Sequence, residues 1–145
     1  MIPSSLEDNI IYQTGRFTKH FSERLTDAFK KAGHNITSEQ FAILAVLWYQ
    51  DGITQQQIAT AIERDKTTIS RVLDSMIKRN LLRREKSESD KRSKLIRLTD
   101  HGKQLQEKLV SISGKLFMQS LEGIEDTDVK SALKVMHRLI NNISK

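Results

Sequence analysis

The sequence predicts a mainly α-helical chain with one small β-hairpin, and three observations carry that prediction. Apolar residues recur in steps of three and four through most of the chain, the spacing of one helix face. A single proline, Pro3, and an aromatic content of 6% argue against a β-sandwich. Between Thr54 and Thr99 the order is a short capped helix, a three-residue turn, a second helix with a polar outer face, and a basic hairpin. That order describes a winged helix-turn-helix, in which the second helix enters the major groove of duplex DNA. Charge follows the same segment. Residues 51–99 hold 12 Lys/Arg against 7 Asp/Glu, while residues 1–50 hold 5 against 5 and residues 100–145 hold 7 against 6. The net charge of +6 is thus concentrated where phosphate would be met.

The elements follow in order. Leu6, Ile10, Phe17, Phe21, Leu25 and Phe29 predict one long helix from about Ser5 to Lys31, stopped by Gly33. Thr37-Ser38-Glu39-Gln40 is a capping box, and Ile36 and Phe41 stand where a hydrophobic staple places its pair. That helix runs through Ala42, Leu44, Ala45, Leu47 and Trp48 to Asp51-Gly52. Thr54-Gln55-Gln56-Gln57 repeats the box, with Ile53 and Ile58 as its staple, and Ile58, Ala59 and Ile62 give a short helix one buried side.

Glu63-Arg64-Asp65 is the turn, and Asp65 is a suitable N-cap for the next helix. There Ile69, Val72, Leu73 and Met76 share one face; Thr67, Ser70, Arg71, Asp74 and Lys78 share the other, with Lys66 and Thr68 at its edges. Asn80, which tolerates a left-handed backbone, closes it. Leu82 to Lys86 and Lys94 to Leu98 read as strands around a tip of Ser87 to Ser93. Thr99 caps a further long helix with Leu105, Leu109, Ile112 and Leu116, ending near Gly123. The last helix follows Asp126 and carries Val129, Leu133, Met136, Ile140 and Ile143. These two seams offer more apolar length than one small lobe covers, which predicts a homodimer held by the terminal helices.

Several function classes are excluded or disfavoured. The chain has no cysteine, so it has neither a disulfide framework nor a thiol switch. No apolar run approaches membrane-spanning length and the first residues lack the order of a signal peptide, so the expectation is a cytoplasmic protein with no membrane partner. His20, His34, His101 and His137 lack ligand spacing, so no metal site is expected. No phosphate loop, nucleophile elbow or paired carboxylates appear, so no enzyme and no cofactor are expected. A small enzyme is the remote reading.

On these residues the chain resembles the MarR family of bacterial transcriptional regulators. The resemblance rests on Ile36-Thr37-Ser38-Glu39-Gln40-Phe41, on Thr54-Gln55-Gln56-Gln57-Ile58-Ala59 and on Lys66-Thr67-Thr68-Ile69-Ser70-Arg71-Val72-Leu73-Asp74. It is completed by the wing signature Asp90, Arg92, Leu98, Thr99 and Gly102. Asn80 stands where the family usually has glycine, and Ser75-Met76-Ile77 where many members have Arg-Leu-Glu. The resemblance implies one domain over residues 1–145, with dimerisation helices at about 5–33 and 100–145 around a DNA-binding lobe at about 37–99. It implies a repressor acting as a homodimer on a palindromic operator in double-stranded DNA, relieved by a small aromatic or phenolic effector. The alternative is a winged-helix module that binds a protein partner, against which the basic surplus stands.

Residue by residue, the recognition helix offers Lys66, Thr67, Thr68, Ser70 and Arg71 to DNA, and the wing offers Asp90, Lys91, Arg92 and Lys94. Short polar side chains with one Arg suit base edges, and Arg71 is placed for bidentate pairing with guanine. Arg92 suits the narrow minor groove. Thr54, Gln55, Arg84 and Arg97 are expected at phosphates. Phe17, His20, Phe21 and Trp48 form a candidate effector pocket, although a stripe at this spacing is more often plain core.

Overall fold

In the computed structural model, residues 4–89 and 92–144 are described. The first helix, α1 (Ile10–Lys31), starts five residues later than the apolar spacing predicts. The side chain of Asn9 accepts from the amides of Ile11 and Tyr12 and sets the boundary there, leaving Leu6 outside the helix. Gly33, at φ +89, turns the chain away. Helices α2 (Ser38–Tyr49) and α3 (Gln55–Ala61) both carry the full reciprocal capping box, from Thr37 with Gln40 and from Thr54 with Gln57. Both staples are at least partly buried, with Ile36, Ile53 and Ile58 in the core and Phe41 half-buried.

Between α3 and the recognition helix α4 (Lys66–Lys78) the chain turns through Glu63, whose φ is +52, and Arg64 N donates to Ala59 O. No local signal in Glu63 announces that left-handed backbone. Asn80 has φ +58, as its place after a helix predicts, and Leu81 N donates to Met76 O to close α4.

The hairpin strands are β2 (Leu82–Lys86) and β3 (Lys94–Leu98), the bounds read from sequence. A third strand, β1 (Ile53–Thr54), joins them, so the sheet is antiparallel in the order β1-β3-β2. Two residues are too few to show alternation, which is why sequence reading misses β1. Ile53 pairs with Ile96, and Leu82 with Leu98, so the buried side of the wing faces the helices. Asp51 Oδ1 accepts from Leu98 N and from Gly52 N, which fixes the end of β3 against the end of α2.

Thr99 caps α5 (Asp100–Gln104), and the long helix expected after it is interrupted at Leu105 before α6 (Gln106–Ser120). The last helix is α7 (Asp126–Ile143), capped at Glu125 without a side-chain hydrogen bond. Among the described residues, none of these helices is long and apolar enough to cross a membrane.

The chain forms two compact units that divide between Ser113 and Gly114. Among the described residues, the first holds every fully buried apolar side chain, including Phe29, Ile43, Leu44, Leu47, Ile58, Ile69, Leu73, Met76, Leu81, Ile96 and Leu109. Ile69, Leu73 and Met76 lie on the predicted inner face of α4, so the opposite face is turned to solvent by packing rather than by polarity alone. Among the described residues the second unit buries none: on α7 Val129 and Met136 are half-buried, while Leu133, Ile140 and Ile143 are exposed. Covering such a side chain is worth about 1.5–3 kcal/mol, so this surface is suited to a partner.

Candidate nucleic-acid interface

Asp65 starts α4 by a double contact with one residue. Its Oδ2 accepts from Thr68 N at 2.9 Å and its Oδ1 accepts from Thr68 Oγ1 at 2.6 Å. The Thr68 hydroxyl and amide together hold the Asp65 carboxyl below the usual carboxylate range, so the cap is fully ionised near neutral pH. Thr68 is therefore engaged within the cap. Lys66, Thr67 and Arg71 are exposed, and Ser70 is half-buried beside them. These four occupy the N-terminal half of the helix, the end that meets base edges in a helix-turn-helix.

The wing is tied to this helix. Arg84 Nη2 on β2 stands 2.8 Å from Asp74 Oδ1 on α4, an ion pair across ten residues of sequence. Within the hairpin, Arg83 faces Arg97 and Lys86 faces Lys94 across the strands, like charges that repel when directly opposite. Glu85 answers the first pair, its carboxylate meeting Arg83 at 3.5 Å and also Arg97 Nε. Arg97 is half-buried, and its guanidinium lies so close to Gly52 that a Cβ there would come within 2.6 Å of it. Arg84 and Arg97, both expected at phosphate, thus each hold a carboxylate. Thr54 Oγ1 accepts from Gln57 N in the cap of α3, and Gln55 begins that helix half-buried. Arg92 and Lys94 are exposed on the hairpin. Asp90 and Lys91, also expected on the wing, lie outside the described residues.

The aromatic residues separate into two groups. Phe17 and Phe21 form a tilted ring pair with centroids 5.7 Å apart on α1, on the face that also carries the exposed His20. Trp48 belongs to a different row, Phe29 against Phe41 at 5.2 Å and Phe41 against Trp48 at 5.8 Å. Trp48 Nε1 also donates to Gly102 O at 3.0 Å, binding α2 to α5. That bond ties Trp48 into the fold.

Sequence reasoning misses the residues that position the interface. Asp74, Glu85, Glu39 and Gln40 hold arginines that lie 10, 12, 25 and 39 residues away, and no local pattern pairs them.

Comparison with known proteins agrees with this geometry. The MarR family model matches residues 36–94, which runs from the α2 capping box into the wing. The chain is 37% identical over 100 residues to the organic hydroperoxide resistance transcriptional regulator of Bacillus subtilis, covering 68% of each chain. Among solved structures, it is similar in fold to reduced AbfR bound to DNA, with TM-score 0.76, 21% identity, and 97% and 95% of the two chains covered. It is similar also to CouR from Rhodococcus jostii RHA1 bound to p-coumaroyl-CoA, with TM-score 0.79, 22% identity, and 94% and 95% covered. A capped helix, a turn, an exposed reading helix and a basic hairpin, matched in this order, show that the chain belongs to the MarR family of DNA-binding transcriptional regulators, which are not enzymes.

Proposed function

We propose that this regulator acts in the cytoplasm as a homodimeric repressor on a pseudo-palindromic operator. One lobe of each copy, at about 37–99, reads one half-site, and the segments at about 5–33 and 100–145 join the copies. The observation that carries this reading is the exposed row Lys66, Thr67 and Arg71 at the start of α4, beside a hairpin rich in positive charge. Arg71 reads a base edge, with Thr67 and Ser70 beside it, while Lys66 meets phosphate or base. Thr68 contributes by holding the cap. Arg92, Lys91 and Lys94 follow the backbone or the minor groove. Thr54, Gln55, Arg84 and Arg97 are placed for phosphate, the last two by exchanging Asp74 and Glu85 for it.

The apolar face of α7, which covers nothing fully within its own unit, supports the homodimer. The effector in this reading is a small aromatic molecule near Phe17, His20, Phe21 and Trp48. Support comes from the exposure of Phe17 beside the ring of Phe21, and from a protein of similar fold that is bound to p-coumaroyl-CoA. A cysteine-based redox signal is closed to a chain without cysteine. The ligand acts only through unequal affinity for the free and DNA-bound dimers.

The test is retention of duplexes by the purified full chain from sheared genomic DNA, followed by gel shift and sedimentation. Expected are a dimer and a retained sequence with two inverted half-sites about 10 bp apart. A chain that stays monomeric at micromolar concentration, or retains fragments with no common sequence, contradicts the reading and favours a protein partner.

A further inference from the structure

The first turn of α2 holds the recognition helix at both of its ends. Glu39 and Gln40 are neighbours in that turn. Glu39 Oε1 faces Arg64 Nε at 3.9 Å, and Arg64 precedes Asp65, the N-cap of α4. Gln40 Oε1 accepts from Arg79 Nη1 at 3.3 Å, and Arg79 is the C-cap of the same helix. The two arginines bracket α4 completely, and both return to adjacent residues of one turn.

The turn itself is fixed. Gln40 is only 8% exposed, and its Oε1 also accepts from Thr37 N at 3.0 Å in the capping box. Ser38 N donates to Thr26 Oγ1 on α1 at 3.0 Å. The Glu39 Oε1 oxygen is shielded from solvent and makes no hydrogen bond, so the Arg64 guanidinium is the charge that answers it. The Arg64 side chain is 61% exposed and that of Glu39 34%, so this contact directs α4 more than it stabilises the fold. Rotation or sliding of α4 along its groove must therefore break or stretch a polar contact at one end or the other. The apolar contacts of Ile69, Leu73 and Met76 are non-directional and resist such sliding less selectively.

We propose that Glu39 and Gln40 are positioning residues for DNA reading: through Arg64 and Arg79 they fix the rotation and register of α4, and with it the aim of Thr67, Ser70 and Arg71 at base edges. The proposal rests on the DNA-reading function above. A brace of this kind acts on sequence discrimination, because base contacts tolerate little misplacement while phosphate contacts tolerate more.

The experiment measures affinity of the full-length protein for two duplexes. One is the sequence that the wild-type chain retains from a randomised pool, and the other is a scrambled duplex of equal length and composition. The variants are Glu39→Ala, Gln40→Ala, Arg79→Met, Gln40→Glu and Thr37→Val. Glu39→Ala, Gln40→Ala and Arg79→Met should each lower the ratio of the two affinities by about five-fold, a coupling typical of one polar network. Gln40→Ala combined with Arg79→Met should lower it no further than either alone. Gln40→Glu, which keeps an acceptor for Arg79 and a capping-box partner, should retain the ratio. Thr37→Val, which removes the capping hydroxyl and leaves both arginine contacts, should lower the melting temperature and retain the ratio.

Charge alone predicts a different sign at Glu39: deleting a carboxylate near DNA raises both affinities together and leaves the ratio unchanged. That outcome overturns the brace, as does a ratio unmoved in all three disruptive variants, or one lowered equally by Thr37→Val. A wild-type chain that enriches no sequence from the pool overturns the DNA-reading function itself. It is told apart from failure of the brace, in which the wild type discriminates and the variants discriminate equally well.

Discussion

Arg71→Ala is expected to compress the gap between operator and random DNA at a cost of about 1–3 kcal/mol per half-site. The side chain is exposed near the start of α4, and the opposite face of the same helix is locked into the core by Ile69, Leu73 and Met76. Its removal should therefore leave the fold intact. Arg92→Ala on the wing should behave differently. It should weaken binding evenly across core sequences, reduce sensitivity to A·T-rich flanks, and flatten the salt slope by about one phosphate's worth. The measurement is affinity of each variant for operator, flank-swapped operator and random duplex over a range of salt. An Arg71→Ala protein that loses affinity for operator and random duplex equally would assign Arg71 to phosphate.

Gly102→Ala is expected to destabilise the fold by about 2–3 kcal/mol or more, by forced overpacking against backbone. A Cβ at Gly102 would come within 2.3 Å of Leu81 O, a separation that real Cβ atoms do not adopt. The carbonyl cannot retreat cheaply, because Leu81 O already accepts from Thr99 N and Thr99 Oγ1. Nor is the glycine free to move: its amide donates to Thr99 Oγ1 and its carbonyl accepts from Trp48 Nε1. The strain falls where α2, α5 and the base of the wing meet, so operator affinity should fall with stability. Thermal unfolding checks it, with a drop in Tm of roughly 5–10 °C expected for a chain of this size. A melting temperature within a degree of wild type would show that Leu81 and α5 separate more readily than their hydrogen bonds suggest.

The glycine also shows what kind of information a sequence carries. Its place after Leu98-Thr99 is recognisable as part of a family signature, yet its physical reason, contact with Leu81 O, exists only in the folded chain. The elements legible in the sequence are those decided within four residues. Both capping boxes, the Asp65 cap, the Asn80 turn and the two wing strands stand where local chemistry puts them. The start of α1 is decided by the Asn9 cap against an apolar repeat that continues beyond it, and the break at Leu105 has no local marker. The exposed row on α4 is legible because the apolar face fixes its opposite. The pairs that brace α4, Arg64 with Glu39 and Arg79 with Gln40, depend on tertiary packing and have no sequence pattern, and the same is true of Arg84 with Asp74. The same holds for Trp48, whose spacing suggests a pocket wall and whose indole nitrogen ties it to Gly102.

The central claim is that α4 reads the major groove in each of two symmetric half-sites while the wings lie over the adjoining minor groove. Dimethyl sulfate interference on the retained duplex tests it directly, since the reagent methylates guanine N7 in the major groove and adenine N3 in the minor groove. The account predicts two patches of guanine N7 interference about 10 bp apart, related by two-fold symmetry, with adenine N3 interference outside them. The N7 patches should vanish with Arg71→Ala. Interference confined to the minor groove, or to a single unrepeated patch, would contradict it.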